Sequence, residues 1–231
     1  MKSGFFATFF YQPIYNGLVF LISVVPGHNV GVSIITLTIL VRSALLPLAH
    51  KSVVSQAKMR AITPHIEKLK EKHKDNKQEQ AVKMMALYKE HGINPFSGLV
   101  LVLVQLPVIF ALYFVFFKGL PHLNSDILYS FVHLDIPNMN FLGLDLTKKS
   151  ALLAALAAIA QFFQIKLSVP PITVKEIKNG EKPSFKDEFA KSFNLQMRYI
   201  LPLVVFGIGY SISSAIALYW ATSNLFSIGH E

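Results

Sequence analysis

Residues Gly31 to Leu48 read GVSIITLTILVRSALLPL, and Arg42 is the single ionisable side chain among these eighteen residues. The others are apolar or small and polar. A run of this length with so little charge is the pattern of a membrane-spanning helix. An arginine near the middle of such a helix costs about 2.5–3.5 kcal/mol on insertion scales, so something must offset it. A carboxylate in a neighbouring span is the usual answer, but none of the other long apolar runs contains Asp or Glu. Water remains. Arg42 therefore reads as lining a wet, positively charged cavity inside a helical bundle. The competing account is an arginine that snorkels to one interface. Against it, the apolar run continues for six residues past Arg42, and Thr38, one turn earlier, shares the helix face.

The rest of the composition agrees with a membrane protein. Of 231 residues, 52% are hydrophobic and only 15% are Asp, Glu, Lys or Arg. A soluble domain carries about 25% charged residues. The charges are also gathered into blocks between apolar runs. The net charge of +9 could mean nucleic acid. Its distribution instead fits membrane topology and contact with anionic surfaces, so no direct nucleic-acid recognition is expected. The chain has no cysteine, which excludes a disulfide, a thiol nucleophile and a cysteine metal site.

Working outward, residues 1–30 form an extracytoplasmic region in which Pro13 to Val25 is expected to lie in the interface as an amphipathic helix. Leu18 to Val25 alone is too short to span, and no small-residue cleavage site favours a signal peptide. The first span is 31–49. Residues 50–95 carry ten Lys/Arg against five acids between His50 and Gly92. Apolar residues there recur at helical spacing (Met59, Ile62, Ile66, Leu69, then Val82, Met85, Tyr88), with Asp75-Asn76 as a turn. This predicts a helical hairpin standing off the membrane. Asn94-Pro95 signals the start of a helix, and the second span is 96–117, with Gln105 and Pro107 inside it. Residues 118–149 are a mixed segment with three lysines and three acids. The third span is 150–169, with Gln161 and Gln164 on one face. A second basic loop, 170–198, has a turn at Asn179-Gly180. The last apolar block is expected to fold as two short spans, 199–212 and 214–228. The two basic loops fall on one side, which the positive-inside rule makes cytoplasmic; the N-terminus is then outside and the C-terminus inside. No stripe of small residues is strong enough to name a dimer face.

The fold class is thus all-α and polytopic, with five spans and a cytoplasmic helical hairpin. Its intramembrane polar set is Thr38, Arg42, Gln105, Gln161, Gln164, Ser213, Trp220 and Asn224. Ser213, Ala217, Trp220 and Asn224 share one face of the last span. Each residue alone has a bland explanation, because Ser, Thr and Gln glue helices together and Trp favours interfaces. The set around one arginine is harder to explain as glue. Catalytic patterns are absent: the eight histidines form no HExxH, and there is no Gly-x-Ser-x-Gly, phosphate-binding glycine loop or intramembrane acid pair. No enzyme activity, cofactor or metal is expected.

Several segments resemble one family, the YidC/Oxa/Alb membrane protein insertases of the bacterial type. They are SIITLTILVRSALLPL, AKMRAITPHIEKLKEK, DNKQEQAVKMMALYKEHGINPFSG, VQLPVIFALYFVF, FFQIKLS and LYWATSNLFSI. The resemblance implies five helices around a hydrophilic groove that opens to the cytoplasm and to lipid. Arg42 falls on the groove arginine and Thr38 on the same wall; Tyr219 and Trp220 fall on an aromatic pair that contacts clients. The implied activity is insertion and folding of client proteins in the bacterial cell membrane. The implied partners are nascent membrane proteins, the lipid bilayer, the Sec translocon and the ribosome. The sequence departs from the family at Ser213-Ser214-Ala215, where many relatives carry Pro-Ser-Gly, and at Gln164, one place earlier than usual. It also lacks the large periplasmic domain, a lipoprotein cysteine and the long basic tail that aids ribosome binding in some relatives. A small-solute transporter or anion channel, with Arg42 as its selectivity charge, is the competing class; inverted repeats and broken helices would favour it, and neither is visible.

Overall fold

In the computed structural model, Asn29 sets the start of the arginine-bearing helix. Its side-chain oxygen accepts from the Val32 N–H at 3.1 Å, satisfying one of the helix's unpaired first-turn donors. Helix α2 then runs Val30–Ala61. The structure describes residues 4–116, 125–133, 135–168, 192 and 195–230. Most of the basic loop at 170–198, including its expected turn at Asn179-Gly180, lies outside them.

The chain forms two compact units: Met1–Ser43 with Val108–Glu231, and Ala44–Pro107. In the first, a π-helical turn at Ala7–Tyr11 leads into α1, Gln12–Val24. Pro13 therefore does not break this helix. It stands in the first turn of α1, where a missing N–H costs little, and the π turn precedes it. The combined stretch Ala7–Val24 has 18 residues, long and apolar enough to cross a membrane, where the sequence predicted only an interfacial helix from Pro13. Its buried face, Ile14, Tyr15, Leu18, Val19 and Ile22, joins the main core with Val30, Ile34 and Leu37 of α2.

Among the described residues, three helices meet that criterion of length and composition: Ala7–Val24, Val30–Ala61 and Ala151–Ser168; a shorter apolar helix covers Leu103–Phe114. The last lies within α5, Ser97–Phe114. The chain is thus an all-α, multi-span membrane protein apart from one two-residue strand pair. Helix α6, Ala151–Ser168, begins where Ser150 Oγ accepts from the Leu153 N–H. The last apolar block is a helical hairpin: α7, Leu201–Ser211, preceded by a π turn at Gln196–Ile200, and α8, Ser214–His230. Both pack along α6, which offers Ala154, Ala157 and Ala160 as a buried small-residue face. A side chain built on Gly209 of α7 would lie 3.6 Å from Ala154 and 3.5 Å from Ala217. Small residues let these backbones approach closely. The alanine stripe of α6 is thus used within the chain.

The mixed segment between α5 and α6 acts as a clasp. Strands β1 (Asn140–Phe141) and β2 (Leu144–Asp145) pair antiparallel around Leu142-Gly143. Asn29 Nδ2 donates to Asn140 O at 2.8 Å and the Val30 N–H to Asn138 O at 3.0 Å, fixing the clasp to the start of α2. At its other end, the Ser214 N–H donates to Lys148 O at 3.0 Å and the Ala215 N–H to Leu146 O at 3.3 Å, fixing it to the start of α8. Residues 125–129 are tied to α1 by Asn16, which is buried. Its amide donates to Gln12 O and Ile127 O and accepts from the Tyr129 N–H.

The second unit contains the expected polar hairpin, α3 (Thr63–Lys72) and α4 (Lys77–Glu90). The expected turn is there, and Asn76 caps α4 by accepting from the Glu79 N–H. Ile62, Ile66 and Ile93 form a small core with Met59, Met84, Leu87 and Tyr88 packed on it. Helix α2 continues unbroken past His50 to Ala61, so it takes up the first twelve residues of the stretch expected for the hairpin. Asn94 Oδ1 accepts from the Phe96 N–H, and α5 begins at Ser97 rather than at Phe96.

Candidate functional site

Arg42 has a partner, and it is neutral. The guanidinium donates from Nε to Ser223 Oγ at 2.8 Å, and Nη2 donates to the same oxygen. Ser223 lies on α8 and is 1% exposed, whereas Arg42 is half-buried. The pairing follows from packing. The small N-terminal residues of α8, Ala215 and Ala217, sit in the same core as Ile34 and Leu37, and about one and a half to two turns further along both helices Ser223 meets Arg42. Among the described residues no acid takes part, in keeping with the lack of Asp or Glu in these helices.

Thr38 is buried, and its hydroxyl bonds back to Ile34 O at 2.6 Å, so its polarity is spent within its own helix. Tyr219 is buried one turn before Ser223, and its ring centroid lies 6.2 Å from that of Phe116. Trp220 is half-buried between the main core and a smaller cluster of Ala157, Val205 and Ala221.

A second polar group lies beside this pair. Asn224 Nδ2 donates to Gln161 Oε1 at 3.1 Å, linking α8 to α6. Gln161 Nε2 donates to Gln164 Oε1 at 3.2 Å, and Gln164 Nε2 to Ser168 Oγ at 2.7 Å. This amide chain runs along α6 towards its C-terminal end. Asn224 adjoins Ser223 in sequence, so the chain starts where the arginine is held.

Two expected residues do not join. Ser213 lies at the α7–α8 turn, about 15 Å along the helix axis from Ser223; its hydroxyl is buried without a hydrogen-bond partner among the described residues. The neighbouring Ser214 makes the contact instead, its hydroxyl donating to Lys148 O. Gln105 belongs to the other unit, where its Oε1 is buried without a hydrogen-bond partner among the described residues. Ser223 itself was not singled out by sequence. Its one signal was position, four residues after Tyr219 and next to Asn224.

A cavity of about 880 Å³ opens along α6 and α8. Its walls are aliphatic and aromatic, including Ile35, Leu156, Phe163, Leu218 and Leu225, with Lys166 as its one charged group. Arg42 does not line it. Among the described residues no His, Asp and Glu side chains gather into a metal-binding group.

A family described as 60Kd inner membrane protein matches residues 20–231. The Membrane protein insertase YidC of Fusobacterium nucleatum subsp. nucleatum is 31% identical over 228 residues, covering 96% of this chain and 94% of that protein. The chain belongs to the YidC/Oxa/Alb family. The Membrane protein insertase YidC of Francisella tularensis subsp. novicida is 30% identical over 203 residues; these are 88% of this chain but only 32% of that longer relative. In this family member, the arginine-bearing helix α2 and the aromatic-bearing helix α8 meet at the Arg42–Ser223 contact.

Proposed function

We propose that this chain inserts membrane proteins into the bacterial cell membrane and assists their folding there. The observation that carries the reading is the half-buried Arg42, held inside an apolar helix by a neutral hydroxyl. A guanidinium with no carboxylate partner keeps its charge available to an acidic or polar segment of a client, which it can bind through paired N–H groups. Apolar segments of the client pass into lipid, and their removal from water drives the process. Family membership and the names of its relatives support the same reading.

In this reading, five helices (α2, α5, α6, α7 and α8) span the membrane around a wet groove that opens to the cytoplasm. Thr38, Gln161, Gln164, Tyr219, Trp220 and Asn224 contribute to it with Arg42, whereas Gln105 and Ser213, expected from sequence, are left out of it. The hairpin α3–α4 lies in the cytoplasm and captures clients. The N-terminus is outside and the C-terminus inside. The Sec translocon and the ribosome are partners in delivery.

The test is insertion of a single-span client with an acidic external tail into liposomes holding the purified protein. Arg42→Ala is expected to abolish insertion and Arg42→Lys to retain it. Equal insertion by all three forms would overturn the charge mechanism. Anion passage by the wild type without insertion would overturn the function.

A further inference from the structure

The two Arg42 nitrogens that reach Ser223 are Nε and Nη2. These form one edge of the guanidinium fork, and their two parallel N–H groups match the two oxygens of a carboxylate. Here one hydroxyl oxygen takes both. Ser223 is buried, so the protein interior, rather than bulk water, supplies this acceptor. A serine placed merely to satisfy a helix would bond back to a carbonyl one turn earlier, as Thr222 does to Leu218 O at 2.8 Å and Ser227 does to Ser223 O at 3.1 Å. Ser223 is instead used across the helix pair.

We propose that Ser223 is an internal stand-in for the client carboxylate: it occupies the bidentate edge of Arg42 when no client is bound and competes with the client's acidic group for it. This rests on the insertase reading above. The competition has a direction. A neutral acceptor on a charged donor is weaker than a bidentate carboxylate, so an arriving acid displaces the serine. When the client moves on, the hydroxyl returns and spares the guanidinium an unsatisfied buried edge. Ser223 thereby sets how long an acidic client stays, and it does so without contacting the client.

The test uses the full chain in liposomes and two single-span clients that differ only in an Asp or an Asn in the external tail. Each client carries a photo-crosslinking group, and its dwell time is read by chasing with unlabelled client before illumination. Ser223→Ala is expected to lengthen the dwell time of the Asp client at least threefold and to leave the Asn client unchanged. Ser223→Cys keeps the volume but is a poor acceptor, and it should shift the same way. Ser223→Thr should behave as wild type. A merely structural role would shorten the dwell time of both clients, or alter both alike, and would overturn the proposal; so would an unchanged Asp dwell time. Arg42→Ala separates the two readings. If it fails to abolish the Asp–Asn difference, the charge mechanism itself falls. If it abolishes that difference while Ser223→Ala changes nothing, only the stand-in role falls.

Discussion

Replacing Gly31 by Ala should unseat the clasp that joins the starts of α2 and α8. A Cβ at this position would lie 2.3 Å from Cγ and Cδ2 of Phe141 and 2.6 Å from its Cβ. Carbon atoms in contact stand about 3.5–4.0 Å apart. The clash at Phe141 Cβ decides the outcome, because no rotation about χ1 moves that atom. The backbone of β1 must shift instead, and β1 is fixed to α2 by the Asn29–Asn140 and Val30–Asn138 hydrogen bonds. Overpacking of this kind costs about 1–3 kcal/mol. Helix propensity acts the other way, since Ala is about 0.8–1.0 kcal/mol better than Gly inside a helix. Gly31 lies in the first turn of α2, where that gain is smaller. The net effect is a loss of about 1–2 kcal/mol, or roughly 2–8 °C in the midpoint for a chain of this size.

The assay is thermal unfolding of the purified protein in detergent, followed by the fluorescence of Trp220, the chain's single tryptophan. A double-mutant cycle isolates the contact. Phe141→Gly alone should also destabilise, through lost packing, but because it removes the clashing Cβ, Gly31→Ala added to it should cost nothing further. If Gly31→Ala is as stable as wild type or more so, helix propensity outweighs the clash, and the close seating of Phe141 on α2 is refuted.

Two further outcomes concern the same clasp. Asn16→Leu keeps the volume but removes three hydrogen bonds and strands the Tyr129 N–H and Ile127 O; at about 1–3 kcal/mol for each stranded buried group, protease cleavage within 125–129 should rise at least tenfold, and cleavage at the wild-type rate would refute the role of Asn16. The Asp145 carboxyl is held below its ordinary range, chiefly by the Thr147 hydroxyl and then by the Thr147 N–H. A lowered carboxylate stabilises above the unfolded value near 3.9 and loses that contribution as pH falls through the folded one. A fluorophore on a Leu142→Cys variant should therefore report loosening of the clasp only below about pH 4, and Asp145→Asn should remove that acid step; a step that survives Asp145→Asn assigns it elsewhere.

Helices that meet lipid or a core on a simple period were legible from the residues alone. The run around Arg42 and the alanine-rich α6 stand where their apolar spacing puts them; the hairpin of α3 and α4 is present, but α4 packs through Met84, Leu87 and Tyr88 while the expected Val82 and Met85 are exposed. Boundaries were less legible where a tertiary partner or a cap set them. Pro13 reads as a breaker in isolation, yet it occupies a first-turn position that tolerates it. The charge block after His50 reads as the start of the hairpin, yet α2 continues to Ala61, since a helix does not end merely because it leaves an apolar environment. The clasp was the least legible part. Its bonds join residues more than a hundred positions apart, such as Asn29 to Asn140 and Asn16 to Ile127, and neither turn chemistry nor periodicity encodes such pairs. At the site, an arginine without a carboxylate was visible in the sequence. The serine that receives it was not, because a small hydroxyl among Ala, Thr and Ser residues on one helix carries no mark of which neighbour it faces.

The nature of that receiving group bears on how an intramembrane arginine can serve a transient partner. Had the position of Ser223 held an aspartate, the buried pair would be held strongly, since removing one partner of such a pair costs about 3–5 kcal/mol. An incoming acid would then have to replace one carboxylate with another while expelling a buried charge, and the exchange would gain nothing. Had the position held alanine, that edge of the guanidinium would be left to water, with no protein group on α8 to hold it in place. A hydroxyl falls between these limits. Its hydrogen bond to a charged donor is worth about 1.5–3 kcal/mol, enough to hold Arg42 in place and weak enough to yield to a bidentate carboxylate. In the reading proposed above, the resting and client-bound states then differ by little free energy, and a site that must release every client it binds requires that balance.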